Sequence, residues 1–375
     1  MAHITKQANG RWRARYRDVS GHEHSARFDR RVEAQRWLDE VTASLVTGTY
    51  VDPKAGRATV GELAPTWLKV KSSKKPKTYA GYVSLCTGHV LPRWGKVPVA
   101  TITTADVEAW VGELTADGLS ASRTRQAYLV LRGVLDTAVK ARRLAVNPAQ
   151  GVELPSTPQG KRRYLTIAEL EALADAAGDY GLLVRVLGYC GLRWGEAAEL
   201  RVADCDLLRS RLIVERSVAD VGGRLMVGTT KANKRREVPL TGFLRDALAA
   251  HLAGRDPSAL VFQAPRGGYL RNSNFRRRSF NAATHAVGLD GLVPHELRHT
   301  AASLAIRSGA NIKVVQTMMG HASATMTWDR YGHLYDDDLD SVAKRLDAAH
   351  AEHKQHSRVQ SASNNGHVVE LERVR

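Results

Sequence analysis

Two breaks rich in glycine and proline, TGTYVDPKAGRAT (residues 47–59) and VELPSTPQGKRRY (residues 152–164), divide this chain into stretches with different hydrophobic periods. Such residues interrupt regular structure, so the stretches between them fold as separate modules rather than as one core. The length, 375 residues, is enough for about two or three domains that each bury a core of their own.

Before the first break, GRWRARYRD (residues 10–18) alternates Trp12, Ala14 and Tyr16 with Arg11, Arg13, Arg15 and Arg17. A period of two predicts a strand with an aromatic face and a guanidinium face. A turn at Gly21, a second strand over residues 22–28 and a helix over residues 30–46 follow, with Val32, Trp37, Leu38, Val41 and Leu45 inward. Residues 60–148 read as helices over 60–71, 78–95, 104–118 and 120–144, the last stopped by Asn147-Pro148 because proline cannot donate to a helix ladder. TIAE (residues 166–169) has capping-box spacing and opens a third, mainly helical stretch that runs to about residue 350. RLIVERSV, GRLMVGTT and RREVPL within it predict one small sheet. The expected fold is therefore multidomain, mainly α with small β-sheets: 1–57 a sheet with a helix, 58–155 a helical bundle, 156–350 a mixed and mainly helical domain, 351–375 a polar, mobile tail.

Basic residues outnumber acidic ones by 55 to 38, and the excess is spread: 11 against 7 over residues 1–57, 13 against 7 over 58–157, 27 against 21 over 158–350. Charge distributed over several modules suits a protein that lies along a polyanion, where one basic tail does not explain it. Arg11, Arg13 and Arg15 on the strand face, Lys74, Lys75 and Lys77 in SSKKPK, and an exposed Arg123 and Arg125 are the candidate phosphate contacts. Cys86, Cys190 and Cys205 form no CxxC pair, which excludes a disulfide framework or zinc ribbon and fits a reducing cytoplasm. No stretch has the length of a signal-peptide core or of a membrane span, so a cytoplasmic location is expected.

Chemistry concentrates in the third stretch. CGLRWGE places Arg193 beside an apolar run, where an arginine must be paired or meet an anion, and Glu196 shares its helical face. Lys231 sits at the tip of the hairpin GTTKANKRREVPL, within reach of a leaving oxygen. HELRHT puts His295 and Arg298 on one helical face, His321 follows Gly320, and Tyr331 comes ten residues later in DRYGHLY. Two arginines, two histidines and a tyrosine supply what metal-free cleavage of a phosphodiester needs: a hydroxyl nucleophile and fixed cations for the phosphate oxygens. HELRH also matches the H-E-x-x-H zinc-protease pattern, with Glu296 as base, His299 as second ligand and His321 as a third. That reading leaves Arg193, Lys231, Tyr331 and the basic modules without a role.

CGLRWGE, a lysine hairpin, HxxRH, GH and a tyrosine ten residues on, in this order, resemble the tyrosine recombinase (phage integrase) family over about residues 160–345. The helical stretch before them is similar to the family's core-site-binding domain, and the N-terminal module resembles the arm-type DNA-binding domain of bacteriophage integrases. The resemblance implies that Tyr331 attacks a scissile phosphate to give a 3′-phosphotyrosine, that Arg193, Arg298 and His321 contact its non-bridging oxygens, and that Glu196 supports Arg193. It makes Lys231 the general acid and His295 a base or proton relay. KANKRREVPL departs from the family's more usual Lys-Thr followed by Ser-x-Arg, which leaves Lys234 a rival to Lys231; Tyr335 is a rival to Tyr331, and His299 and His333 are left to packing or solvent. No cofactor or metal is implied. The implied partners are double-stranded attachment-site DNA, three further copies in a tetramer that the helix over residues 337–350 helps to assemble, a DNA-bending accessory protein and an excision factor. The alternatives are an Xer-like chromosome or plasmid dimer resolvase of the same chemistry, a DNA-binding protein with a dead site, and the zinc protease.

Overall fold

A computed structural model describes residues 3–18, 21–48, 50–52, 54–157, 163–230, 234–335, 343–344 and 346–354. The chain forms two compact units, residues 1–160 with 221–223 and residues 161–220 with 224–375.

In the first unit the alternating arginine segment is the middle strand, Trp12–Arg17, of a three-stranded antiparallel sheet. Its partners are Glu23–Phe28, paired as Ala14↔Ala26 and Tyr16↔His24, and His3–Lys6, a strand too short to show a period in sequence. Ala14 and Tyr16 point inward and are buried against Ala34 and Leu38 of the helix Arg31–Val46, as period two demands. Val32 is the exception to the expected inward set. It is 68% exposed, because the stripe that meets the sheet begins at Ala34 and leaves the first turn in water. The first glycine-rich break is not a free linker either: the Tyr50 hydroxyl meets that of Tyr16 at 2.7 Å and closes the little core.

The rest of this unit is mainly helical, with Val60–Lys71, Pro76–Leu85 running through the π-helical turn Cys86–Val90 into Leu91–Trp94, Thr104–Ala116 and Ala121–Lys140. Thr59–Glu62 and Thr103–Asp106 form capping boxes that satisfy the free amides at two of the helix starts. Trp94 and Trp110 meet edge to face with ring centroids 5.9 Å apart in the middle of the core. The longest helix ends at Lys140, before Asn147-Pro148. Asn147 has a different job: its side-chain amide donates to the Arg132 carbonyl at 3.0 Å and to Asp136 at 2.6 Å, stapling the returning chain to that helix.

The second unit is built on two helices packed together, Gly181–Cys190 and Pro294–Arg307, whose apolar faces share one core with Ile167–Ala176, Gly242–Leu252 and Ile312–Met319. The Thr166–Glu169 capping box opens the first of these helices as its spacing predicts. The strand-rich patch is two sheets rather than one. Cys205–Asp206, Arg211–Val214 and Arg236–Pro239 form an antiparallel sheet in that order, whereas Arg216–Val221 and Arg224–Thr229 form a separate hairpin. Residues 343–344 and 346–354 are helical and exposed, so the helix runs past residue 351, where a polar tail was expected. The remaining tail, 355–375, lies outside the described residues, as do residues 337–342 and 345 of the expected C-terminal helix. No helix among the described residues is long and apolar enough to cross a membrane.

Gly191 ends the helix Gly181–Cys190 in the left-handed region at φ 65°, and a Cβ there would stand 2.3 Å from the Met319 Cε and 3.1 Å from the Ala301 Cβ. Gly191→Ala should therefore cost the left-handed backbone penalty of about 1–2 kcal/mol together with about 1–3 kcal/mol of overpacking. Gly254, at φ 71° with nothing within 4 Å, should cost the backbone penalty alone on substitution by alanine. Urea unfolding of both variants tests this, and equal losses would remove the packing argument.

Candidate active site

Arg193 is the N-cap residue of the short helix Trp194–Glu199. Glu196, three residues on, accepts the Arg193 backbone amide at 2.9 Å with one oxygen and the guanidinium at 2.8 Å with the other. Its side chain is 1% exposed, and a second arginine completes the arrangement: Arg236 donates to the two carboxylate oxygens at 3.0 and 2.6 Å. The Arg236 Nε donates to the Met318 carbonyl at 3.0 Å. Arg236 was not singled out in the sequence. Its strand buries alternate residues, Arg236 and Val238, so inward alternation with an apolar residue was the available signal.

Arg298, 3% exposed in the first half of Pro294–Arg307, donates to the carbonyls of Gly191 and Met319. Arg193 reaches the carbonyl of Gly320 at 3.2 Å. These acceptors lie at the C-termini of two helices, Gly181–Cys190 and Ile312–Met319, each capped by a glycine in the left-handed region. Helix ends leave carbonyls without intrahelical partners and carry partial negative charge, so they attract and fix guanidinium groups. Three buried or half-buried cations thus surround a single carboxylate. The net charge of the cluster is positive.

Tyr331 is the last residue of the helix Ala324–Tyr331 and is fully buried. Its hydroxyl is 2.8 Å from the Nδ1 of His299, and the ring of His321 lies parallel to its own at 6.2 Å and 10°. His321 is held in turn by a 2.9 Å contact between its Nδ1 and the Thr327 hydroxyl. His295 is exposed, with its ring edge-on to that of His299 at 5.3 Å. The expectation that His299 only packs or meets solvent is overturned: it holds the tyrosine hydroxyl. A partner 32 residues downstream leaves no local pattern that would have revealed this. Tyr335 faces elsewhere, its hydroxyl donating to the Ala310 carbonyl at 3.1 Å and its ring stacked on Trp328. Lys231 lies outside the described residues and Lys234 is exposed; the expected lysine hairpin does not form, because Arg224–Thr229 pairs with Arg216–Val221 while Arg236–Pro239 pairs with Arg211–Val214 in the other sheet. Glu296 accepts the Val293 amide at 2.8 Å and so caps its own helix, which takes up the group the zinc-protease pattern would use as its base.

Electrostatics follow from this packing. Burial pushes the Glu196 carboxyl upward, but the hydrogen bonds and charge of Arg236 and the charge of Arg193 outweigh it and hold the group at about 2. Burial, then the neighbouring Arg193, lowers Arg298 to about 9, which leaves it charged at neutral pH. His321 is lowered to about 4 by burial and then by Arg298, Arg330, Arg193 and Arg236, so its ring is neutral at physiological pH. Cys190, three residues before Arg193, is no competing nucleophile, because burial pushes its thiol up to about 12.

The sequence model of the phage integrase family matches residues 163–338, and that of the phage integrase N-terminal domain matches residues 3–47. The integrase of Mycobacterium phage FRAT1 is 31% identical over 79% of this chain and 92% of its own length. The chain belongs to the phage integrase family. It is a tyrosine site-specific recombinase, and its relatives within the family extend to the tyrosine recombinase XerD of Corynebacterium glutamicum, 30% identical over 75% of this chain and 96% of that protein. The fold agrees with solved structures of the Tn1549 transposon integrase in complex with a circular intermediate DNA (TM-score 0.67, 21% identity, 76% of this chain and 99% of that one). It also agrees with a lambda integrase tetramer bound to a Holliday junction (TM-score 0.58, 20% identity, 86% and 96%).

The other residues singled out belong to the first unit. Arg11 pairs with Asp29 at 2.9 Å, Arg13 with Ser25 at 3.3 Å and Arg15 with Glu23 at 3.4 Å along the outer strand face. Lys74, Lys75 and Lys77 are exposed. Arg123 and Arg125 are half-buried rather than exposed, because they donate to the Ser84 hydroxyl and the Pro155 carbonyl, both at 3.1 Å. An exposed arginine run, Arg276 to Arg278, escaped notice although RRRSF is plain in the sequence. It follows the helix Asn272–Phe275, whose Phe275 stacks on Trp194 at 4.9 Å and so ties it to the residue next to Arg193.

Glu196 and His321 both bind protons less readily folded than unfolded, so each stabilises the fold above its unfolded pKa and loses that contribution as pH falls through the folded value. The losses should fall between about pH 6.5 and 4 for His321 and between about 4.5 and 2 for Glu196, the latter on the order of 3 kcal/mol. Urea unfolding across this range should show His321→Asn flattening the upper limb and Glu196→Gln the lower. A wild-type pH profile in both variants would refute the assignment.

Proposed function

We propose that Tyr331 attacks a scissile phosphate in attachment-site DNA, forming a 3′-phosphotyrosine and releasing a 5′-hydroxyl. The observation that carries this reading is the buried hydroxyl of Tyr331, set between two histidines beside a cluster of three arginines and one carboxylate. Arg193 and Arg298 meet the non-bridging oxygens, where negative charge accumulates in the transition state; guanidinium suits them because its fixed fork makes charge-assisted bonds to phosphate. His321 donates a further hydrogen bond. Glu196 and Arg236 hold Arg193 in place, His295 relays protons toward solvent, and Lys231 or Lys234 protonates the departing 5′-oxygen. The phosphotyrosine conserves the energy of the broken bond, so the 5′-hydroxyl of another strand can reverse the step without ATP or a metal.

In this reading residues 1–57 bind arm-type sites through Arg11, Arg13 and Arg15, residues 58–155 bind the core site through Lys74, Lys75, Lys77, Arg123 and Arg125, and residues 156–350 cut. Arg276, Arg277 and Arg278 are further phosphate contacts of the cutting domain. Four strands must be cut and rejoined, which calls for four copies. An apolar groove of about 970 Å³ lined by Ile167, Leu240, Ala301, Leu304, Val314 and Met318 is suited to a helix from a neighbouring copy. The DNA is a phage or mobile-element attachment site in a bacterial cytoplasm, with a DNA-bending protein and an excision factor assisting. A dimer resolvase of the XerD type is the second reading. The N-terminal phage integrase domain at residues 3–47 favours the first.

On a nicked suicide substrate in EDTA, the wild type should form an SDS-resistant protein–DNA adduct, Tyr335→Phe should form it too, and Tyr331→Phe should form none. An adduct that persists in Tyr331→Phe would move the nucleophile; loss of the wild-type adduct in EDTA would restore the metal-dependent alternative.

A further inference from the structure

We infer that His299, rather than His295, takes the proton of the Tyr331 hydroxyl during DNA cleavage and returns it during rejoining. The inference rests on the reading of Tyr331 as nucleophile. The Nδ1 of His299 is 2.8 Å from the phenolic oxygen, a distance at which a proton passes directly. Both residues are buried, His299 at 7% exposure and Tyr331 at 0%, so the acceptor is supplied by the protein and not by bulk water. His299 also follows Arg298 on the helix Pro294–Arg307, so one helical turn fixes the proton acceptor together with a cation for the phosphate. His295 lies one turn earlier, is exposed, and meets His299 edge-on at 5.3 Å. It is placed to follow His299 and not to replace it.

The step balances as written. The Tyr331 oxygen bonds to phosphorus, the bond from phosphorus to the 5′-oxygen breaks, the phenolic proton moves to His299 Nδ1, and the general acid protonates the 5′-oxygen. Rejoining reverses each transfer, with the His299 imidazolium protonating the departing phenolate. Nδ1 must be free to accept, so neutral His299 carries its hydrogen on Nε2.

The test is single-turnover adduct formation by the full chain on the nicked substrate as a function of pH, with wild type, His299→Asn, His299→Ala, His295→Asn and Tyr331→Phe. Asparagine keeps an acceptor near the Nδ1 position but takes up no proton. His299→Asn should bind DNA and melt like wild type, yet cleave about 10²- to 10⁴-fold more slowly at neutral pH. Its rate should climb with hydroxide where the wild-type rate levels off, and His295→Asn should lose less. Cleavage by His299→Asn or His299→Ala at or above the wild-type rate would make His299 a latch on a resting tyrosine and overturn the inference. A slow His299→Asn with the wild-type pH profile would reduce His299 to a positioning residue and overturn it equally. An adduct in Tyr331→Phe would instead sink the nucleophile assignment itself.

Discussion

The buried carboxylate of Glu196 between Arg193 and Arg236 is the interaction on which the rest of the second unit depends. Burying one ion costs several kcal/mol, and one buried pair is often no better than an apolar substitute. Here the two oxygens accept from two guanidiniums and from a backbone amide, so no lone pair is wasted. Each arginine then reaches past Glu196 to the carbonyl end of the helix Ile312–Met319: Arg236 to Met318, Arg193 to Gly320. Removing Arg236 would therefore strip Glu196 of half its compensation and release a helix end in the same stroke. Arg298 performs the second half of the task. It joins the ends of two helices that are more than a hundred residues apart in sequence, through Gly191 and Met319.

The same arrangement leaves the site short of negative charge. Three guanidiniums and one carboxylate leave unbalanced positive charge in a place where Arg298 is almost wholly buried. The lowered proton affinity of Arg298 and of His321 reports that imbalance, because burial and the neighbouring cations both act against the charged forms. In the reaction proposed above, a phosphate entering the site removes the imbalance. The unfavourable part of the electrostatics is met when the chain folds, and the favourable part is realised when charge builds on the phosphate oxygens. That order of events is what preorganisation means for a reaction whose transition state is more negative at the receiving atoms than its ground state.

Much of this was legible in the sequence because it is local. The pairing of Arg193 with Glu196 follows from i,i+3 spacing, the capping box at Thr166 from four consecutive residues, and the inward face of Trp12–Arg17 from strict alternation. What stayed hidden is long-range. Arg236 stands beside Arg235, and only the strand register shows that one is buried on Glu196 while the other is exposed and pairs with Glu237. His299 and Tyr331 are brought together by the packing of two helices, which no local period encodes. Val32 erred in the other direction, since a helical stripe predicts a face but not how far the neighbouring sheet extends beneath it. The end of the helix Ala121–Lys140 was misplaced for a related reason: a proline bounds a helix from above, while the actual stop came where Ala141 and Arg142 could no longer continue it, Arg142 lying in the left-handed region at φ 53°.

The full burial of Tyr331, proposed above as the nucleophile, has to be reconciled with a substrate as large as DNA. The local structure supplies a physical reason why this is workable. Tyr331 closes a helix of only eight residues, and the chain leaves it through the 3-10 turn Gly332–Leu334. The Trp328 ring beside it is largely in water, so this end of the core is held by few apolar contacts compared with the paired helices Gly181–Cys190 and Pro294–Arg307. Short elements with thin packing open at low cost, whereas the arginines sit on the thick part of the core and stay fixed. In the reaction proposed above the 2.8 Å contact of its hydroxyl with His299 is kept, so this end of the domain yields to the DNA while Arg193 and Arg298 stay in place. A rigid receiver and a yielding nucleophile are the combination that lets the same residues exclude water at rest and reach a DNA backbone when it arrives.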